Sequence, residues 1–393
     1  MAALSDATLL AISRISVGAQ VADPTDFTAL TSAQVMAKFE LSSYGGGGTL
    51  YALGSDGDYD ALDPDDPPVT DLGLWPVRAF VNLYPNPIWS GAVAGTPGTH
   101  PTGFSSTTGT INAIELGMYK QTPAIRFDMS DVSTVRPLYF TNRALAGAAS
   151  FKCFARGVVS GGTSPNTLKA MFNDGVGYHI NTVADDDQWR THVLSFTAGG
   201  SVVRGSCIWT DATALNEWVA GVQLVAGVYN PPVLALSSAA TTTKLAAITQ
   251  REVSVWKPFV VVIDATTGED PGAHQVFYSL SRSANELIEI YRATSTDQMT
   301  LKIRSGGVDY TDALGSVADN TAFTLAVNVF ARSSAASLNG GTTQVLVAPK
   351  PSGVLTLESI GCKHDGTLQC GGPIAECNLI HPAVYTAEQL EAA

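Results

Sequence analysis

"FTLAVNVFARSSAASLNGGTTQVLVAP" (323–349) decides the fold. An aliphatic run of strand length leads into an Asn-Gly-Gly turn signal and then into a second apolar run, the pattern of two antiparallel strands joined by a hairpin. The texture continues on both sides, through "VSVWKPFVVVIDAT" (253–266), "HQVFYSLSR" (274–282), "LIEIYRAT" (287–294) and "QMTLKIRS" (298–305), and then "LTLESIGC" (355–362) and "AECNLIHPAVY" (375–385). About eight such strands, with turn signals roughly 8 to 14 residues apart, predict a β-sandwich over 250–393. Long helices do not alternate with them, which argues against a parallel α/β sheet.

The block 75–240 has the same character. "AIRFDM" (124–129), "SFKCFARGVV" (150–159), "THVLSFTA" (191–198), "GSCIWTDA" (205–212) and "NEWVAGVQLVAGVYNPPV" (216–233) predict a second sandwich. "LALSSAATTTKLAAITQ" (234–250) reads as an extended crossing segment between the two.

Residues 1–74 differ. "SDATLLAISRI" (5–15) and "TSAQVMAKFEL" (31–41) have cap residues and apolar spacing for short helices, followed by "SSYGGGGTLYALGS" and the acidic "DGDYDALDPDD" (56–66). Such a stretch buries little, and is expected to be a linker or an arm that orders against a partner. The chain is thus expected to be all-β, with two tandem antiparallel β-sandwich (jelly-roll) domains behind a short, partly helical N-terminal arm. At the other end, Thr386 and Gln389 have capping-box spacing for a final helical turn that closes the last sandwich.

Composition narrows the function. With 45% hydrophobic and 15% charged residues in 393, the chain has apolar surface enough to fold into two cores. A formal charge of −13 argues against nucleic acid, which calls for a basic surface. No run of about 20 apolar residues occurs, so membrane insertion is not expected. The start "MAALSDATLLAISR" has neither the basic opening nor the apolar centre of a secretory signal, which implies synthesis in the cytosol and exit by lysis or as part of a particle. Five widely spaced cysteines do not describe a disulfide framework.

The order of motifs in "FTLAVNVFARSSAASLNGGTTQVLVAP", "LTLESIGC" and "GGPIAECNLIHPAVYTAEQLEA" (371–392) resembles the concanavalin A-like, laminin-G-type jelly rolls at the C-termini of bacteriophage fibre and spike proteins. "NPIWSGAVAGTPGTHPTGFSSTTGT" (86–110), with "WVAGVQLVAGVYNPP" (218–232), resembles the carbohydrate-binding-module-type jelly rolls of phage virion proteins. Phe104 and Val225 stand where that pattern commonly has Trp and Glu. The resemblance implies a virion appendage protein that docks on other virion proteins through its N-terminal arm. It further implies a homo-oligomer, commonly a trimer, that binds host-surface polysaccharide without catalysis. A capsid or tail decoration protein and a polysaccharide-degrading enzyme are the alternatives.

Motifs of catalysis are missing: no G-x-S-x-G, no phosphate loop with Lys, no H-E-x-x-H. Glu286 and Glu289 are three apart and point to opposite faces of a strand, unlike a glycosidase pair, and Glu252, Asp264 and Asp312 are isolated. Cys362, His364, Cys370 and Cys377 are zinc-type ligands at an unusual spacing and are expected to pack in the core. Asp56, Asp58 and Asp60 offer oxygens at alternate positions, as a calcium loop does, but the twelfth position is Pro67 rather than Glu; no cofactor is expected beyond a structural calcium. For sugar stacking the candidates are Trp189, beside Asp185, Asp187 and Arg190, then Trp89, Tyr178 and Trp209. Tyr291, Arg292, Tyr310 and Arg332 are weaker candidates in the C-terminal block.

Overall fold

A computed structural model describes the chain from Gln20 to Ala393, apart from residues 43, 64, 106–109, 131–138, 144, 161–167, 174–177, 184–186, 200–202, 207–213, 228–232, 240, 257, 270–272, 295, 331 and 382. The helix expected at 5–15 lies outside the described residues. The fold is all-β, in antiparallel sheets, as expected. Two units form, interleaved in sequence: a C-terminal unit of the chain up to Tyr44, Asp66–Arg78 and Ala246–Ala393, and a middle unit of Gly45–Asp65 and Ala79–Leu245.

In the C-terminal unit an eight-stranded and a six-stranded sheet enclose one core. The stretch that decides the fold supplies Ala322–Val329 and Ser334–Leu338, and Phe259–Thr266 pairs between Ala322–Val329 and Ile374–His381. Alternation sets the faces: Val261, Ile263, Leu325 and Val327 point into the core, against Leu280, Ile288, Ile290 and Leu301 from the other sheet. Each fully buried side chain of this size contributes about 1.5–3 kcal/mol.

The N-terminal segment is part of that core rather than an arm standing apart. Gln20–Asp26 pairs with Ile374–His381, and Phe27, Val35 and Phe39 are buried among the core residues, with the two phenyl rings stacked at 5.8 Å. Between them the helix Ser32–Lys38 starts with the expected capping box on Thr31. Residues 45–65 belong instead to the middle unit, where Thr49–Leu53 and Tyr59–Leu62 pair as a hairpin. The presumed crossing segment also contributes strands there, Leu234–Leu236 and Thr242–Lys244. The C-terminal helix Ala387–Ala392 has its capping box, yet it covers the outward side of a sheet and not an end. Leu390 and Tyr385 pack with Val260, Val262 and Ala326, the residues that alternate with the core positions.

Among the described residues no helix is long and apolar enough to cross a membrane. Cys153, Cys362, Cys370 and Cys377 are buried and form no disulfide among the described residues, and burial pushes the Cys362 and Cys370 thiols up to about 12. They pack as small apolar groups. No group of three metal-ligating side chains forms among the described residues.

A buried ion pair locks the N-terminal segment in place. Arg251 Nε donates to Glu358 at 2.5 Å, Tyr278 donates its hydroxyl to the same carboxylate at 3.0 Å, and the guanidinium lies 5.0 Å from the Phe39 ring centroid. Removing one partner leaves an uncompensated buried charge. Arg251→Met is therefore expected to lower the stability of the full chain by about 3 kcal/mol in urea titration; an unchanged midpoint would show the pair to be dispensable.

A second electrostatic feature is a row of carboxylates across three paired strands, Asp26, Glu376 and Asp264. Burial raises the pKa of Asp264, and burial raises that of Glu376 with Asp26 and Asp264 adding to it. Folded-state pKa values above the unfolded ones mean that the folded chain holds these protons more tightly, so the row's contribution falls as pH rises through the folded values. Glu376→Gln is expected to raise Tm at pH 7 and to lose that advantage near pH 3; an advantage independent of pH would contradict this.

Candidate functional site

The strongest site lies on the middle unit, on the outward side of its seven-stranded sheet. In the strand Thr122–Ser130, Ile125, Phe127 and Met129 point into the core, so Arg126 points out. Pairing carries this across four strands: Glu115 of Thr110–Tyr119 is opposite Arg126, Arg126 opposite Trp218 of Ala214–Ala226, and Trp218 opposite Arg156 of Gly147–Ser160. Residues directly opposite in antiparallel pairs share a face. At about 4.8 Å per strand the row spans roughly 14 Å.

Part of this face is covered. Tyr51, Tyr59, Leu234 and Leu236 from the three-stranded sheet pack with Phe154, Ala124 and Ala220. Beside that cover the row lines a cavity of about 280 Å3, bounded by Glu115, Arg126, Arg156, Asp187, Asn216 and Trp218.

Trp218 lines it, and two further rings lie nearby, Trp189 beside Arg156 and Tyr119 against Trp189. Trp189 stacks on Tyr119, with centroids 3.8 Å apart and planes 11° from parallel. Trp218 reaches over Gly117, where an added Cβ would be 3.0 Å from its Cζ3 and 3.2 Å from its Cη2. Arg156 lies between the indoles, its guanidinium carbon 5.5 Å from the Trp189 centroid and 6.0 Å from that of Trp218. Burial, and after it Asp58, raises the Tyr119 phenol, which stays protonated at neutral pH.

Polar groups fill the remainder. Arg126 Nε donates to Asn216 Oδ1 at 2.7 Å, and its Nη1 donates to the Glu115 carboxylate. Asp187 has φ 51°, which Asp tolerates better than most residues, and its N–H donates to the Gly157 carbonyl at 3.2 Å. That turn holds the carboxylate 4.0 Å from Arg156 Nε. No Ser, Cys or His is among the described lining residues, whose carboxylates are those of Glu115 and Asp187.

Of the sugar-binding candidates from sequence, Trp189 and Asp187 are brought together here, and Arg190 is exposed next to them. Asp185, Trp209 and the Tyr178 side chain lie outside the described residues. Trp89 is a correction: it is 3% exposed, donates Nε1 to the Pro123 carbonyl and packs against Tyr84 and Phe104 in the core, where so large an apolar ring gains most from burial. Arg292 is also buried, ion-paired with Asp297 and Asp319, so it holds a loop together and is shielded from ligand. Tyr291 is half-buried beside His274, Tyr310 packs on the C-terminal core, and Arg332 is exposed.

Asp56 accepts from the Asp58 N–H at 2.8 Å, an Asx turn at the tip of the Thr49–Leu53 hairpin. Glu286 accepts from two backbone N–H groups, of Gly306 and Ser352, and Glu289 pairs with Lys302. Sequence reasoning missed Trp218, Arg126, Arg156, Asn216 and Glu115. Alternation was the available signal in "AIRFDM", where Arg126 falls between Ile125 and Phe127, whereas in "NEW" the buried position is the polar Glu217.

No family model matches this chain, and no curated protein does. Solved structures give loose overlaps. A Ruminococcus gnavus IT-sialidase CBM40 bound to α2,3 sialyllactose overlaps at 20% identity and TM-score 0.30, over 35% of this chain and 82% of that one. Mouse laminin α1 domains LG4-5 overlap at 11% and 0.25, over 66% and 89%. The tandem CBM22-1-CBM22-2 of Paenibacillus barcinonensis Xyn10C overlaps at 10% and 0.24, over 74% and 96%. Likenesses this distant assign no ligand.

Gly117 tests the geometry of the rim. Gly117→Val would drive Trp218 from its place, because the new side chain meets the ring well inside ordinary contact distance. A changed tryptophan emission with the fold retained by circular dichroism is expected; an unaltered emission spectrum would mean that the ring is not seated over residue 117.

Proposed function

We propose that the middle unit binds glycan chains on its outward row, without turnover. The supporting observation is the row itself, in which a partly exposed indole is flanked on both sides by hydrogen-bonding groups at strand spacing. Sugars present apolar C–H faces and equatorial hydroxyls, so a fixed aromatic ring with guanidinium, amide and carboxylate groups beside it matches both features. The cavity, about 280 Å3, is near the lower bound of about 300 Å3 for ligand sites and suits one or two rings of an extended chain.

Binding of the full chain to an array of bacterial glycans tests this. Trp218→Ala is expected to weaken the bound signals by about tenfold or more, equal to about 1.4 kcal/mol, while the fold is kept. Retained binding by a folded Trp218→Ala variant would sink the proposal.

The setting we infer is an appendage of a phage or phage-like particle, supported by the motif order over 323–392. Weak single sites then gain from repetition in a closed homo-oligomer. A trimeric mass in solution is the expected outcome, and a monomer at micromolar concentration would remove the avidity argument.

A further inference from the structure

The two arginines of the outward row are engaged to different degrees. Arg126 is committed, with Nε on Asn216 and Nη1 on Glu115. Arg156 makes no hydrogen bond among the described residues. Its Nε is buried without an acceptor, and the nearest carboxylate oxygen, on Asp187, lies 4.0 Å away, beyond hydrogen-bond reach. Two indoles hold the guanidinium in the wall of the cavity.

A guanidinium is a rigid planar fork of donors, and its natural complement is a planar anion with two oxygens. Resting on the glycan function above, we propose that the ligand is an acidic sugar whose carboxylate is taken by Arg156 while its ring lies against Trp218. Glu115 already neutralises Arg126, so the row has one cationic place to offer. The chain's formal charge of −13 repels a dense polyanion, which restricts the ligand to glycans with isolated carboxylates. Asp187 is the resident competitor. Its side chain is 60% exposed, and it yields to a ligand carboxylate that approaches to hydrogen-bonding distance.

The test uses the full-length protein on an array in which each acidic bacterial oligosaccharide is printed in two forms, native and carboxyl-reduced. Reduction is expected to weaken binding by about tenfold or more. Arg156→Gln is expected to bring the acidic form down to the level of its reduced partner, Arg156→Lys to restore only part of the difference, and Asp187→Asn to strengthen acidic ligands alone. Circular dichroism of each variant establishes that the fold is kept. Equal binding of native and reduced forms by the wild-type chain overturns this inference and leaves glycan binding standing. Binding of neither form overturns both, and a preference for sulfated sugars over carboxylated ones overturns the choice of anion.

Discussion

The site depends on the register of one strand, Ala214–Ala226, which pairs with Gly147–Ser160 on one side and with Thr122–Ser130 and Phe80–Asn82 on the other. A strand shows alternate residues to opposite faces, so a slip by one would send every outward group into the core. This strand changes phase once. Val219 points into the core, and so do Val222 and Leu224, which requires one extra residue between them. Gly221 supplies it at φ 56°, at the shift where the Lys152–Gln223 and Phe154–Ala220 pairs are separated by one residue on one strand and two on the other. A Cβ there would lie 2.6 Å from the Phe154 ring. Beyond the bulge Gln223 faces outward and bonds the covering strand through Val233 and Ala235; before it, Trp218 and Asn216 face the open cavity. The cover already reaches Ala220, before the glycine, and Trp218 and Asn216 are the outward residues of the strand that line the cavity.

Much of this architecture was legible because antiparallel strands carry their period in the sequence. The alternation of Phe323, Leu325, Val327 and Val329 is a direct image of one core face. The fate of residues 20–44 was not legible. Their partner strand, Ile374–His381, is some 350 positions away, and only Phe27, Val35 and Phe39 are committed to the core, in elements too short for a periodic signal. The acidic 56–66 stretch concealed a hairpin for a similar reason, since four strand residues beside many carboxylates read as solvated chain.

The site was half legible. Trp189 was singled out because carboxylates and an arginine surround it in sequence, and its ring lies against Arg156, which lines the cavity. Trp218 was not singled out, since it opens a long apolar run, and the glycine bulge that reverses the phase of that run has no signature apart from the glycine itself. Trp89 went the other way. It was a candidate for sugar stacking, while its indole N–H finds a backbone acceptor inside. Local polarity is a poor guide to a tryptophan's burial when one buried hydrogen bond satisfies its single polar atom.

Three arginines of the C-terminal unit show how Arg156 differs. Arg251 is matched to Glu358 inside the C-terminal core. Arg292 is 2% exposed, is held by Asp297 and Asp319, and donates Nε to the Val317 carbonyl at 2.9 Å. Arg304 is nearer solvent and still makes two contacts to the Asp309 carboxylate. Each guanidinium is matched because an N–H taken from water without an acceptor is costly, and more so when it carries charge. Arg156 Nε is taken from water and left without one. What compensates is the pair of indoles, whose attraction for a cation requires no acceptor, at a guanidinium that lines the cavity. A guanidinium held by aromatic faces, with its nearest carboxylate at 4.0 Å and outside hydrogen-bond reach, keeps its hydrogen-bonding capacity for another molecule.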